Sequence, residues 1–414
     1  MTAVRSAPSP ARTALIAVVC GGLVMGLALG VRHVQGLFLV PMTQGRGWPR
    51  EVFGFAIAMQ NLCWGLSQPF VGMIADRHGS ARVIASGTLL YLVGLLLMAH
   101  ATTPVGLVLG GGLVIGVALS CTTFGTVYGA ISRLVPPARR SRALGLAGSM
   151  GGLGMFLMVP LTQELQAWFG WSTALVLLGV AVLALAPAAR ALDDVPAKTA
   201  APTSDGTAQS MSAAVREAFG HRGFWLLNAG FTACGFQLAF IAGHLPAYLL
   251  DKGLNARDGV VGLAIIALAN VASMACFGSW GGVLRRKYLL SAMYLARPTA
   301  IALFLLAPLS PLSVDLFCAA IGFLWLGAVP LTNGLVSGVF GLRYIGTLFG
   351  FVFFGHQVGA FLGVWLAARV YDATRSYDLI WIAAMGLGVL AAALHLMIDD
   401  QPVVRLAPLA GTPA

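Results

Sequence analysis

The sequence predicts an all-α membrane protein with twelve transmembrane helices, arranged as two six-helix halves that repeat one another. Composition is the first reason, because charged residues make up 9% of the 414 residues and apolar residues 58%, whereas a soluble domain has about 25% charged residues. The mean hydropathy of +0.86 points the same way. The other reasons are the lengths of the apolar runs and an internal repeat.

The apolar runs supply the individual helices. A membrane span needs about twenty mainly apolar residues. With a window of that length the chain shows twelve apolar runs, at about 14–40, 52–74, 83–99, 104–131, 142–167, 171–190, 223–250, 259–283, 288–308, 312–341, 345–370 and 379–398. The first run is too long for a signal peptide and no convincing cleavage site follows it, so we expect it to be the first helix.

An internal repeat divides these helices into two halves. A shift of 205 positions superposes four pairs of residues: Gly30 and Gly235, Pro41 and Pro246, Gly145 and Gly350, and Gly154 and Gly359. We therefore expect an N-terminal half at 1–190, a polar cytoplasmic linker at 191–221 and a C-terminal half at 222–414. Parallel halves of this kind rock about a site near the middle of the bilayer.

Positive charge predicts the orientation of the helices. If the N-terminus is cytoplasmic, the cytoplasmic segments hold 17 of the 25 Lys and Arg residues and the outside segments hold 6. The remaining two, Arg32 and Arg297, lie within helices. Because short cytoplasmic loops retain Lys and Arg, we expect both termini on the cytoplasmic side. The net charge of +11 follows from this bias and does not indicate a nucleic-acid partner.

A motif lies between the second and third runs, where residues 72–82 read GMIADRHGSAR. Gly72 allows two helices to approach closely, and Gly79 supplies a turn. Asp76 is placed to accept hydrogen bonds from a neighbouring helix N-terminus and to pair with a basic residue. Arg77 and Arg82 stay on the cytoplasmic side. The motif resembles the loop between the second and third helices of major facilitator superfamily transporters, and that resemblance implies a gating role for these five residues.

The second half carries a copy of this loop, GSWGGVLRRK, in which a one-residue slip brings Gly72 onto Gly278. The copy keeps Gly278, Gly282 and the basic residues but has no Asp. We therefore expect the first copy to be the stronger contact at the cytoplasmic side.

Three further stretches resemble one branch of that superfamily, the monocarboxylate porters and oxalate–formate exchangers. They are RRSRALGLAGSMGGLG at 139–154, GLRYIGTLFG at 341–350 and GVWLAARVYDATRSYD at 363–378. The resemblance implies a monomeric, cofactor-free transporter in the bacterial inner (plasma) membrane that works by alternating access. Its partners would be a small organic anion, protons in the case of symport, and the lipid bilayer.

Ionisable residues inside a membrane are costly and usually functional. Arg32 and His33 lie in the outer half of the first helix, and His33 aligns best with a Lys that monocarboxylate porters carry there. Neighbouring helical positions point about 100° apart, so we expect only one of the two to face a cavity. The alternative is an Arg that extends to the outer interface and a hydrogen-bonded structural His.

Several polar residues of other helices are further candidate substrate ligands. In the eleventh run they are His356 and Gln357, and oxalate–formate exchangers resemble this chain in having a substrate-binding Lys in the corresponding helix, which His356 would match. The others are Gln237, Asn333, Tyr128 and Arg297. Hydrogen bonding between helices is the alternative for each polar residue. For Arg297, binding of substrate and bracing of the second half stay open.

The distribution of acidic residues indicates an anionic substrate. Of the 14 Asp and Glu residues, only Glu164 and Asp315 approach the hydrocarbon region, near helix ends. A cavity with Arg and His but no carboxylate suits an anion, and a coupled proton would be carried by a His or by the substrate.

The sequence therefore favours a secondary transporter of small organic anions, monocarboxylates above all, by proton symport or anion exchange. Efflux of drugs or other amphipathic compounds by the same fold is the alternative within transport. A membrane enzyme or a sensor is the alternative from another class, but the sequence has no metal-ligand spacing, nucleophile–base motif or phosphate-binding loop. The six cysteines lie in apolar runs and are expected to pack as small apolar residues.

Overall fold

The computed structural model describes residues 10–48, 50–194 and 209–403, and these residues are helical throughout apart from short connections. The chain begins with α1 (Pro10–His33), continues through a 3₁₀ turn at Val34–Phe38, and follows with α2 (Leu39–Arg46), α3 (Arg50–His78), α4 (Ser80–His100), α5 (Pro104–Leu107), a π-helical segment at Val108–Val114, α6 (Ile115–Thr122), α7 (Phe124–Leu134), α8 (Pro137–Ala184) and a 3₁₀ turn at Ala186–Leu192. The remaining helices are α9 (Met211–Gly220), α10 (Arg222–Asp251), α11 (Ala256–Trp280), α12 (Arg286–Leu306), α13 (Pro311–Phe323), α14 (Ala328–Phe340), α15 (Ile345–Thr374) and α16 (Asp378–Leu396).

These helices account for the twelve predicted runs. Within the described residues, ten helical stretches are long and apolar enough to cross a membrane. One of them, Pro137–Leu192, holds two predicted runs and changes direction at Gly170, whose φ of 76° interrupts the helix. The remaining run is α3, which is 29 residues long but less apolar because polar residues such as Gln60 and Gln68 lie along it.

Three predicted elements differ in detail from the structure. The fourth run is interrupted at Thr123, where the backbone is extended. The tenth run is divided into α13 and α14. Within the stretch predicted as a linker, 195–208 lie outside the described residues and Met211–Gly220 form α9, capped by the Ser210 hydroxyl. The periodicity of α9 is too short to stand out from its polar surroundings, which is why composition alone suggested no helix there.

Small residues bring the helices together. A Cβ atom added to Gly72 of α3 would overlap the backbone of Gly346 in α15, and one added to Gly145 of α8 would lie 2.5 Å from the carbonyl oxygen of Met274 in α11. In the second half, a Cβ atom on Gly235 of α10 would overlap the carbonyl oxygen of His356. Since apolar side chains gain little by leaving lipid, close backbone packing of this kind holds membrane helices together.

The contact at Gly235 generates a test of this packing. We expect Gly235→Ala to force α10 away from α15 and to lower the free energy of unfolding by about 1–3 kcal/mol, the usual cost of overpacking. Thermal unfolding of the purified protein in one detergent is the measurement.

Gly54→Ala is the matched control, because Gly54 also lies inside a helix but a Cβ atom added there would meet no neighbouring atom within 4 Å. The control should be neutral or slightly stabilised, since Ala is the better helix former. Equal unfolding temperatures for wild type and Gly235→Ala would show that the α10–α15 contact is not tightly packed.

Candidate functional site

Arg32 lies at the end of α1 and points into the helix bundle. It is half-buried, one Nη2 hydrogen bond goes to Asn61 Oδ1 of α3, and its guanidinium lies 5.0 Å from the ring centre of Trp64. Its Nε atom is buried without a hydrogen-bond partner among the described residues. An Arg that served as a lipid-facing anchor would extend toward the membrane surface, so these contacts are those of an inward-facing residue.

A group of rings in mutual contact continues from Arg32 toward the second half, and we call it the aromatic layer: Trp64, Phe124, Phe231, Phe353 and His356. The ring centres of Trp64 and Phe353 are 4.9 Å apart, and those of Phe124 and Phe353 are 6.3 Å apart. His356 stacks nearly parallel on Phe353 at 5.6 Å and lies 4.7 Å from Phe231. The layer therefore connects α3 and α7 with α10 and α15 through aromatic contacts.

Polar atoms without partners cluster around this layer. Besides Arg32 Nε they include Trp64 Nε1, Tyr128 Oη and His356 Nδ1, none of which has a hydrogen-bond partner among the described residues. Most buried polar groups in proteins are hydrogen-bonded, and several unpaired donors in one region are typical of a place where a polar ligand binds. Trp64 can only donate, and Arg32 can only donate, so an acceptor such as a carboxylate would suit them.

No carboxylate of the described residues balances the charge of Arg32. The ion pairs of the described residues join Arg133 with Asp76 and Asp194, and they join Arg285 and Lys287 with Asp400. Arg32 thus contacts an amide oxygen and an indole ring, both of which are neutral.

Arg297 of α12 has a different environment. It is 1% exposed and donates to the carbonyl oxygens of Leu324 and Trp325 at 2.8 and 3.3 Å. It also donates to Cys234 Sγ at 3.1 Å and to Gln237 Oε1 at 3.3 Å. All three guanidinium nitrogens of Arg297 therefore donate hydrogen bonds to acceptors of the protein. Leu324 and Trp325 lie at the interruption between α13 and α14, so Arg297 donates hydrogen bonds to backbone carbonyls at the place where the helix is interrupted.

The other five predicted ligands have separate environments. His33 is half-buried at the end of α1, Gln237 Nε2 donates to the carbonyl oxygen of Ala384, and Gln357 packs against Gly65 of α3. Tyr128 adjoins the aromatic layer through Phe124, at 5.6 Å between ring centres. Asn333 lies apart from the layer, where its Oδ1 accepts a hydrogen bond from Ser132. The structure therefore brings Arg32, His356 and Tyr128 to one layer, and leaves Asn333 outside it.

Trp64 and Phe353 were not among the predicted ligands. Aromatic residues are frequent in apolar runs, so neither residue stands out by type. A usable signal was the spacing of Asn61 and Trp64, which lie three positions apart in α3 and therefore on one helix face.

At one end of the bundle, which we call the Asp76 face, Asp76 joins three helices. Its carboxylate accepts hydrogen bonds from Gly346 N at 3.3 Å and from Thr347 N and Oγ1, both at 2.8 Å, at the N-terminus of α15. It also pairs with Arg133 of α7 at 2.8 Å. A helix N-terminus and a guanidinium both stabilise a carboxylate, so these contacts hold α3, α7 and α15 together.

Arg133 extends this network to the end of the sixth span. Its Nε donates to Asp194 Oδ2 at 2.6 Å, and Asp194 accepts from Ser80 N at 2.7 Å and Oγ at 2.9 Å. Among the predicted gating residues, Gly72 packs on Gly346, and Gly79 has a φ of 88° at the start of α4. The remaining two, Arg77 and Arg82, are exposed.

Sequence reasoning does not include Arg133, Asp194 and Ser80 in the Asp76 network. In the sequence, Arg133 is one of several cations and Asp194 lies in the predicted linker. A partner that lies 57 positions away along the chain leaves no local pattern in the sequence.

This network generates a test. Asp76→Asn removes the charge that Arg133 and the α15 N-terminus stabilise, so we expect the population to shift toward a state open at the Asp76 face. The reporter is a Cys introduced at Ser132, which is buried in the structure, and labelling by a membrane-impermeant thiol reagent should become several-fold faster.

Arg139→Gln serves as the control, because it removes a charge from an exposed residue at the start of α8 and should leave the labelling rate unchanged. If Asp76→Asn labels at the wild-type rate, the Asp76 contacts do not hold this face closed.

Comparisons with known proteins fit this arrangement. The family model described as Major Facilitator Superfamily matches residues 15–364. The uncharacterized MFS-type transporter YcxA of Bacillus subtilis (strain 168) is 24% identical over 398 residues, which cover 89% of this chain and 92% of that protein. Monocarboxylate transporter 11 of Homo sapiens is 25% identical over 378 residues, which cover 85% of this chain and 76% of that protein.

Solved structures agree in fold. FucP, a transporter of this superfamily in the outward conformation, has a TM-score of 0.71 at 15% identity, covering 94% of this chain and 100% of that chain. The human organic anion transporter MFSD10 (TETRAN) has a TM-score of 0.69 at 17% identity, with the same coverage. The predicted twelve-helix fold is thereby confirmed. The chain belongs to the Major Facilitator Superfamily, and it is a multi-pass membrane transporter rather than an enzyme.

Proposed function

We propose that this protein moves small organic anions, monocarboxylates above all, across the membrane by alternating access. The observation that carries the proposal is Arg32: a guanidinium inside the bundle that has an unpaired Nε and no carboxylate partner among the described residues. The substrate carboxylate binds to Arg32, and it completes the hydrogen bonding of the guanidinium.

The surroundings of Arg32 favour a single carboxylate with an apolar body. Trp64 lies against the guanidinium and offers a second unpaired donor, its Nε1. The rings of the aromatic layer present apolar faces beyond it. A dicarboxylate would bring a second charge against these rings, and the buried guanidinium of Arg297 in the second half is occupied by protein acceptors. A cation would meet the positive charge of Arg32 with no counter-ion.

Related proteins support the same substrate class. Monocarboxylate transporter 13 of Bos taurus is 24% identical over 388 residues, which cover 92% of this chain and 89% of that protein. A relative that is 24% identical supports the class of substrate only. The environment of Arg32 supplies the chemical reason for a carboxylate.

The transport cycle follows from the predicted halves. In this proposal residues 1–190 and 222–414 rock against each other in the bacterial inner membrane, and the Asp76 face is cytoplasmic. Helix α3 packs on α15 and α8 packs on α11, and the Asp76 network joins helices at this end, which supports a state that is closed toward the cytoplasm. His33 and His356 are the groups that would carry a coupled proton, because they are the imidazoles among the predicted ligands. The protein acts as a monomer.

Substitution of Arg32 tests the proposal. Charge-assisted hydrogen bonds to a carboxylate contribute about 1.5–3 kcal/mol, so Arg32→Gln should weaken monocarboxylate binding by roughly ten- to a hundredfold. Arg32→Lys should lie between wild type and Gln, because Lys keeps the charge but loses the planar fork. Calorimetric binding of lactate and of benzoate to the purified protein is the measurement.

Arg46→Gln is the matched control, because Arg46 also stacks on an indole ring, that of Trp171, at 5.4 Å. Its loss should leave affinity unchanged. Equal affinities for wild type and Arg32→Gln, with both proteins folded, would remove Arg32 from the binding site.

Trp64→Phe separates the two proposed roles of Trp64, which are an aromatic ring against the Arg32 guanidinium and an Nε1–H donor to the substrate. Phenylalanine keeps an aromatic ring but lacks the N–H donor, so we expect carboxylate affinity to fall by about threefold to tenfold, the effect of one hydrogen bond of about 0.5–1.5 kcal/mol. Binding of an uncharged amide analogue, which has a weaker acceptor, should fall less.

Trp171→Phe is the control for any general effect of replacing an indole in an Arg–Trp stack. If Trp64→Phe and Trp171→Phe behave alike, the Nε1 atom of Trp64 is not a substrate donor.

A further inference from the structure

The second loop copy lacks a counterpart of Asp76, and this difference leaves positive charge unbalanced at the Asp76 face. An offset of 206 positions aligns Gly72 with Gly278 and Asp76 with Gly282. The same offset aligns Arg140 and Ser141, the fourth and fifth residues of α8, with Gly346 and Thr347, the second and third residues of α15. The contact between α11 and α8 is therefore the repeat counterpart of the contact between α3 and α15.

The geometry of the two places corresponds. Thr347 Oγ1 donates to Asp76 at the end of α3, and Ser141 Oγ donates to the carbonyl oxygen of Gly278 at the end of α11, at 2.6 Å. A Cβ atom added to Gly282 would lie 3.6 Å from Cβ of Ser141, so a side chain at position 282 would lie beside the start of α8. Because residue 282 is Gly, position 282 supplies no carboxylate there.

Two guanidiniums lie at this place. Arg140 Nε donates to the carbonyl oxygen of Ser132 at 2.8 Å, and the side chain of Arg286 lies against Gly334 of α14. Each is half-buried, and the charge of Arg286 acts unfavourably on Arg140. Neither takes part in an ion pair of the described residues, because Asp400, whose charge acts on Arg286, pairs with Arg285 and Lys287.

Unpaired donors point to a ligand at the same place. Arg286 Nε is buried and has no hydrogen-bond partner among the described residues. Asn333 is 0% exposed, and its Nδ2 also lacks a partner there. Asn333 adjoins both guanidiniums, since its Oδ1 accepts from Ser132, the residue whose carbonyl oxygen binds Arg140, and the next residue, Gly334, contacts Arg286.

We propose that Arg140, Ser141, Gly282, Arg286 and Asn333 form a binding site for a phosphate-type oxyanion, which we call the second-loop anion site. Guanidinium groups bind such anions in proteins through charge-assisted hydrogen bonds, and the unpaired Nδ2 of Asn333 supplies a further donor. The anion takes the place that the Asp76 carboxylate occupies in the first half, and it joins α8, α12 and α14 at the Asp76 face. Inorganic phosphate and the headgroup of an anionic phospholipid both supply this chemistry.

The test measures binding and does not involve transport. Purified full-length protein is unfolded thermally with increasing inorganic phosphate, and sodium chloride keeps the ionic strength constant. Wild type should gain stability with phosphate, and the concentration that gives half of the gain should rise by roughly tenfold or more in Arg140→Gln and in Arg286→Gln. Arg139→Gln, which removes the same charge from an exposed neighbour, should match wild type.

Gly282→Asp is the second arm, because it supplies a carboxylate to the site from within the chain. This variant should no longer respond to phosphate. A phosphate response in Arg140→Gln and Arg286→Gln equal to that of wild type would overturn the proposal, and so would an undiminished response in a folded Gly282→Asp variant.

Nanodiscs without phosphate identify the source of the oxyanion. Replacement of phosphatidylcholine by phosphatidylglycerol should stabilise wild type and not Arg286→Gln if a lipid headgroup occupies the site. Stabilisation of wild type by inorganic phosphate alone assigns the site to a free anion, and stabilisation by neither overturns it. Because no substrate is used, failure here leaves the carboxylate transport proposal untouched, and the reverse also holds.

Discussion

The structure depends on how each cation inside the bundle is balanced, because an isolated charge in a medium of low dielectric constant is very costly. Three arginines show three solutions. Arg133 pairs with Asp76 and Asp194 and joins helices at one face. Arg297 donates to backbone carbonyls and side-chain acceptors and supports the interruption between α13 and α14. Arg32 has one amide acceptor and one indole ring, and its incomplete coordination is the basis of the proposed substrate site.

Close helix packing gives these cations their fixed positions. Glycine contacts set the distance of α3 from α15 and of α10 from α15, and α15 carries both Thr347 at the Asp76 network and His356 in the aromatic layer. A movement of α15 against α3 would therefore alter the Asp76 face and the aromatic layer together. This shared helix provides a physical connection between closure and binding, of the kind that alternating access requires.

Sequence reasoning identified the fold because apolar length, repeat and positive charge are properties of the chain itself. It also identified Arg32, because a permanent charge in an apolar run is conspicuous, and Asp76, because its motif is local. Arg133, Asp194 and Trp64 were missed since their importance arises from partners on other helices. The interruption of the tenth span was missed for a similar reason. Its free N–H groups are satisfied by Asn270 and Ser273 of another helix, and nothing in the local sequence reports this.

We propose that the carboxylate of a transported substrate balances the charge of Arg32. Uptake into proteoliposomes measures it most directly, with a panel of labelled monocarboxylates, dicarboxylates and a cationic amphiphile, each with and without an imposed pH gradient. The account predicts saturable uptake of monocarboxylates that wild type supports and Arg32→Gln loses at low substrate concentration, with little uptake of the other two classes. Transport of the cationic amphiphile, with no monocarboxylate uptake under any gradient, would contradict it and assign the protein to efflux of amphipathic compounds.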